Sequence, residues 1–130
     1  PGKTVVLKAG AHIGHGAVIH GAIIGKDCLV GMNAVIMDDV ELGDESIVGA
    51  LTLIREKEKI PPRSVVVGNP GKIIKTVSDA MLSWKTEGTR LYQELAGLQA
   101  GDWYPCEPLT ESPDTGKIRE SGYRTWKDSQ

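Results

Sequence analysis

The chain has 130 residues, 25% of them charged, with 17 acidic side chains against 15 basic ones. That length leaves room for one domain of ordinary size, and the near-balance of charge gives no electrostatic case for nucleic acid or an anionic membrane as partner. No apolar run reaches the eighteen or so residues of a membrane span, and no charged-then-apolar signal peptide is present. Two distant cysteines, Cys28 and Cys106, read as free thiols of a reducing compartment, so the expected location is cytoplasmic.

The chain opens at Pro1 in what reads as a loop end, which leads us to expect a further N-terminal portion upstream, and Thr4-Val5-Val6-Leu7 reads as a first strand. From Leu7 the sequence is written in sixes: Leu7, Ile13, Ile19, then Ile24, Val30, Ile36, Leu42, Val48, Ile54, Ile60 and Val66. Between Ile19 and Ile24 the frame drops one residue. Four places after each aliphatic comes a mostly small residue: Ala11, Ala17, Ile23, Cys28, Ala34, Val40, Ser46, Thr52, Glu58 and Ser64. Glycine recurs one place after, as Gly14, Gly25, Gly31, Gly43 and Gly49, where a Cβ would crowd the turning backbone. A fixed period of six is neither helical nor a simple strand alternation. It predicts an all-β solenoid, a parallel β-helix over 1–70, whose inward aliphatics stack about 4.8 Å apart. The run Arg55-Glu56-Lys57-Glu58-Lys59 puts a charge at the small position and predicts a protruding, solvated corner or small loop. Pro70 ends the frame, since it has no ladder donor to give.

A different period follows. Val77, Met81, Trp84, Gly88, Leu91, Leu95 and Leu98 form one stripe of an amphipathic α-helix, with Ser78 or Asp79 as its start and Gly101 past its end. The expectation is a C-terminal helix within 71–100, packed on the solenoid by this stripe. The polar 101–130 segment has no periodicity, and its Trp103, Tyr104, Tyr123 and Trp126 predict that part of it docks on a surface.

Chemistry concentrates in Gly14-His15-Gly16-Ala17-Val18-Ile19-His20-Gly21. Histidines on a β-helix wall have a plain explanation as exposed polar residues. Yet all 3 histidines of the chain, His12, His15 and His20, fall within this short stretch. Neutral imidazole is the commonest metal ligand, and catalytic zinc takes three protein ligands plus water. Five extended residues cover about 16 Å, so His15 and His20 cannot share one ion inside a chain. Across a threefold interface, His15 of one subunit could meet His20 of the next.

This segment, with Ile24-Gly25-Lys26-Asp27-Cys28-Leu29-Val30-Gly31-Met32-Asn33-Ala34-Val35-Ile36-Met37-Asp38, resembles the γ-class carbonic anhydrase family of left-handed β-helix proteins. Within that family it is most similar to the hexapeptide proteins of phenylacetate degradation and of the carnitine operon. The resemblance runs from Thr4 to about Leu98 and includes Val67-Gly68-Asn69-Pro70 and Ser83-Trp84-Lys85. It implies a left-handed hand, a homotrimer with metal sites at subunit interfaces, and His15 and His20 as ligands to zinc or another divalent transition metal. His12 matches no family ligand. The family's third histidine and its acidic proton shuttle would fall upstream of Pro1, and the cysteine that often follows the second His-Gly is Ala22 here.

The implied enzyme lowers the pKa of zinc-bound water to about 7 and directs the hydroxide at CO2 or at an acyl-CoA thioester. Two other classes stay open: a hexapeptide acyl- or acetyltransferase with one histidine as general base, and a non-catalytic trimeric scaffold that keeps the histidines. Fold alone does not choose among them.

Overall fold

A computed structural model describes residues 3–101 together with 105, 107, 108, 110 and 111. The expected docking of Trp103, Tyr104, Tyr123 and Trp126, and Cys106, lie outside the described residues. The chain divides into two compact units, Pro1–Thr86 and Glu87–Gln130.

The first unit is a left-handed parallel β-helix of hexapeptide repeats. Its strands follow the six-residue frame in order: β1 (Val6–Leu7), β2 (His12–Ile13), β3 (Val18–Ile19), β4 (Ile23–Ile24), β5 (Leu29–Val30) and β6 (Val35–Ile36). Then come β7 (Glu41–Leu42), β8 (Ile47–Val48), β9 (Leu53–Ile54), β10 (Lys59–Ile60), β11 (Ser64–Val67) and β12 (Lys72–Thr76). Up to β11 each strand pairs in parallel with the one three along, and β12 joins the edge of β11, giving three walls: β1-β4-β7-β10, β12-β11-β8-β5-β2 and β3-β6-β9. The register shows the dropped residue. Val6 stands against Ile23 and Val18 against Val35, a coil of seventeen, whereas Ile23 stands against Glu41 and Leu29 against Ile47, a coil of eighteen.

The inward file is aliphatic because the prism is one side chain wide. Ile24, Val30, Ile36, Val48, Ile54 and Val66 are sealed from solvent, with Leu42 and Ile60 almost so. The small file fills the corners, and its polar members have partners there. Cys28 Sγ lies 3.1 Å from the carbonyl of Gly43, and Ser46 Oγ donates to the carbonyl of Pro61 at 3.2 Å while accepting from Ser64 N at 3.1 Å. Burial pushes the Cys28 thiol up to about 11, so it stays protonated.

The dropped residue corrects one position of the sequence frame. Ala22, fully buried, takes the small inward place, and Ile23 faces out. Of the two alternatives for the charged run, the structure takes the corner: Arg55 to Lys59 turns into β10, exposed except for half-buried Glu58, which accepts from Arg55 Nε at 3.0 Å. The first strand is also shorter than expected, Val6–Leu7 only.

At each corner one residue adopts the left-handed conformation, and below the first coil it is not glycine: Asp27, Asn33, Asp39, Glu45, Leu51, Lys57 and Arg63 have φ between 52° and 64°. Each donates its N–H to the coil before, as Asn33 does to the carbonyl of His15 at 2.9 Å and Leu51 to that of Met32 at 2.9 Å. The recurring glycines serve a separate need. A Cβ on Gly31 would stand 2.4 Å from the backbone nitrogen of Ala50, so this file allows coils to approach rather than to turn.

Between the coils and the helix the sequence pattern missed a strand. β12 folds back antiparallel on β11, with a shift of register between Val65 and Val66. Its residues are all exposed, so no burial periodicity announces it. The helix α1 spans Asp79–Gln99. Ser78 Oγ accepts from Met81 N at 3.3 Å, which satisfies one of the free first-turn donors, and Asp79 pairs with Arg63. In the first unit, Val77 is buried and Met81 and Trp84 are half-buried. The most enclosed helical side chain is one the stripe does not contain. Lys85 is 3% exposed, donates Nζ to the carbonyl of Gly10 at 3.0 Å and lies 4.0 Å from Asp27 Oδ1. In the second unit, Leu95 and Leu98 are exposed. Arg90 pairs there with Glu87 and Glu94 along the helix surface.

Candidate functional site

His15 and His20 lie in the one coil that carries every histidine, at the two ends of β3. His15 is in the corner that enters the β3-β6-β9 wall, and its carbonyl is held by Asn33 N. His20 follows β3 directly, its N–H bound to the carbonyl of Ile36 at 2.9 Å. The two residues thus bracket one wall. Both imidazoles are exposed, and around them lie exposed Val18, Met32, Met37 and Leu51.

His12 is half-buried on β2. Burial lowers its pKa below 6.5, and the neighbouring Lys85 and His15 push the same way. It therefore stays neutral near pH 7.

Within a single chain, no group of three or more His, Cys, Asp or Glu side chains among the described residues could hold a metal ion. His15 and His20 are two imidazoles, and a zinc centre of three protein ligands would need others. The residue that the sequence pattern did not single out is Asp38. Its Oδ1 lies 3.0 Å from Nδ1 of His20. It falls one coil further along the stack, so only the stacking register reveals that it meets His20.

Residues 21–56 match a family model described as bacterial transferase hexapeptide (six repeats). The chain is 42% identical over 108 residues to the carnitine operon protein CaiE of Escherichia coli O7:K1, a match covering 83% of this chain and 55% of that protein. It thus spans about half the length of the curated relatives it matches. Among solved structures, it resembles a variant of perosamine N-acetyltransferase from Caulobacter crescentus in complex with CoA and GDP-perosamine. That match has 26% identity and a TM-score of 0.52, over 55% of this chain and 33% of that one. The acetyltransferase domain of PglB from Neisseria gonorrhoeae, in complex with acetyl coenzyme A, matches at 31% identity with a TM-score of 0.51, over 54% of this chain and 34% of that one. The chain thus carries the hexapeptide repeat and is similar over most of its length to the carnitine operon protein CaiE.

Proposed function

We propose that this chain is the coil-bearing part of an enzyme that acts on an acyl-CoA thioester, with His20 as general base for transfer of the acyl group. The observation that carries this reading is the exposed imidazole of His20 on a hexapeptide wall, in a fold shared with acetyltransferases solved with CoA or acetyl-CoA. His20 takes the proton of an acceptor hydroxyl or amine, whose oxygen or nitrogen attacks the thioester carbonyl. The carbon–sulfur bond breaks, and the leaving CoA thiolate recovers the proton from the imidazolium.

A second reading is supported by the pair itself: two exposed imidazoles bracket one wall, amid exposed apolar side chains that a second copy would cover. In a homotrimer, His15 of one subunit and His20 of the next would hold zinc or another divalent metal, the remaining ligand coming from outside the described residues. The metal would supply Lewis-acid activation of water toward CO2 or the same acyl-CoA thioester.

The test uses the full-length assembled protein. CoA release from acetyl-CoA is followed with and without amine and hydroxyl acceptors, beside CO2 hydration, metal content and sedimentation. For acyl transfer, His20→Gln lowers turnover by about 10²–10⁴-fold, while His15→Gln retains it and metal content is irrelevant. For the metal centre, either substitution removes metal and turnover together and leaves the fold intact. A protein without CoA release and without CO2 hydration overturns both and leaves the scaffold.

A further inference from the structure

We infer that Asp38 is a positioning residue that decides which nitrogen of His20 faces the reactants: Asp38 accepts a hydrogen bond from Nδ1–H, which leaves the lone pair on Nε2. The inference deepens the reading of His20 given above and rests on it for its functional meaning. Asp38 Oδ1 is sealed from water and makes no well-aligned hydrogen bond among the described groups. A buried carboxylate oxygen without a donor is costly, and a carboxylate can only accept. Two donors stand near. Lys3 Nζ is 4.0 Å away and is engaged with Asp39, whereas His20 Nδ1 is 3.0 Å away. At that distance, rotation of the imidazole about its Cβ–Cγ bond would bring Nδ1–H into line with the oxygen. The neutral ring carries one proton, so Nε2 is then the acceptor.

Gly21 makes this contact attainable. A Cβ at that position would lie 2.3 Å from Asp38 Oδ1, and its φ of +59° is a conformation that other residues seldom take. The His20-Gly21 pair is therefore one device, with the ring on the first residue and the space for its orienting carboxylate at the second. The same nitrogen serves either chemistry proposed above, since a general base and a metal ligand both need a free lone pair. Carboxylates that hold the far nitrogen of a working histidine fix its tautomer and ring direction in both kinds of site.

The experiment is long-range proton–nitrogen correlation of the imidazoles in the ¹⁵N-labelled, assembled full-length protein at neutral to mildly alkaline pH. His20→Gln identifies the His20 signals by their loss. The expected result is a His20 ring protonated at Nδ1 in the wild type, which swings toward the Nε2–H form in Asp38→Ala. Asp38→Asn, which keeps the shape and so protects the fold, shows a smaller swing in the same direction. In parallel, Asp38→Ala lowers kcat or metal affinity by about 10–100-fold with KM for acyl-CoA unchanged. A wild-type ring protonated at Nε2, or a tautomer indifferent to both substitutions, overturns the assignment. If the tautomer responds as expected while His20→Gln keeps full turnover and metal content, Asp38 stands as the orienting group and the reading of His20 as the working residue falls.

Discussion

Leu7, Ile13 and Ile19 hold the same register position as Ile24, Val30 and Ile36, yet Leu7 is 51% exposed and the next two are half-buried, while the other three are fully enclosed. The residue types barely differ between these coils. What differs is the number of neighbours, for a central coil is covered on both sides and the first described coil on one. In a stack where each repeat touches only the next, stability is a sum of local interfaces, and an aliphatic gains its burial from the adjoining coil. All the histidines lie on the less covered coil, so the candidate site depends on whatever stacks against it.

The sharpest way to break this comparison is a charge placed in each half. Val30→Asp abolishes folding, because an unpaired carboxylate in a core one side chain wide has nowhere to relax, whereas Leu7→Asp leaves a folded protein; circular dichroism and solubility decide. A folded Val30→Asp protein would show that the central file is not held by enclosure. Next in size is truncation. Ile36→Ala costs about 2–5 kcal/mol in urea unfolding, and Ile19→Ala costs clearly less. Equal losses would mean that the first coil is as enclosed in solution as the others.

The repeat frame was legible because the core is so narrow that each inward position is set by its distance from the last. Ala22 and Ile23 show where that legibility stops: a five-residue step leaves two choices for the skipped position, and only the stacking register selects between them. The left-handed corners were hidden for another reason. Asp, Asn, Glu, Leu, Lys and Arg share no side-chain chemistry, and what unites them is a backbone angle. β12 escaped notice because Ile73 and Ile74 are exposed and contribute to no buried stripe. At the site, His15 and His20 were visible as a motif, but Asp38 becomes significant only when a coil is laid upon its neighbour.

A smaller effect tests the environment of the first coil through His12. Its pKa is held below 6.5 in the folded chain, mainly by burial. The unfolded chain thus binds this proton at higher pH than the folded one, so stability rises with pH across the window between the folded value and about 6.5. Acidification from pH 7 lowers the melting temperature through that window, and His12→Gln flattens this part of the profile; an unchanged profile would show that the ring is not enclosed. The smallest effect concerns Leu51, exposed at its corner with φ of 58°. Leu51→Asn, which tolerates this conformation, raises stability by roughly 0.5–1 kcal/mol in urea unfolding. A loss in the assembled protein would instead reveal that another copy covers Leu51.

The antiparallel strand β12 has a consequence for how the solenoid ends. A β-helix offers the same ladder of N–H and C=O groups at every cross-section, so a bare end is a template on which a second molecule could continue the winding. On one wall, β12 occupies that template with a strand running the wrong way for a further coil, and it carries Lys72 and Lys75 on an exposed edge. Side-by-side association remains open to the walls, but end-to-end growth from this side is obstructed. The hairpin acts as a chain terminator, making the stack finite in one direction, and deleting 71–76 is the change that would let such molecules thread into fibres.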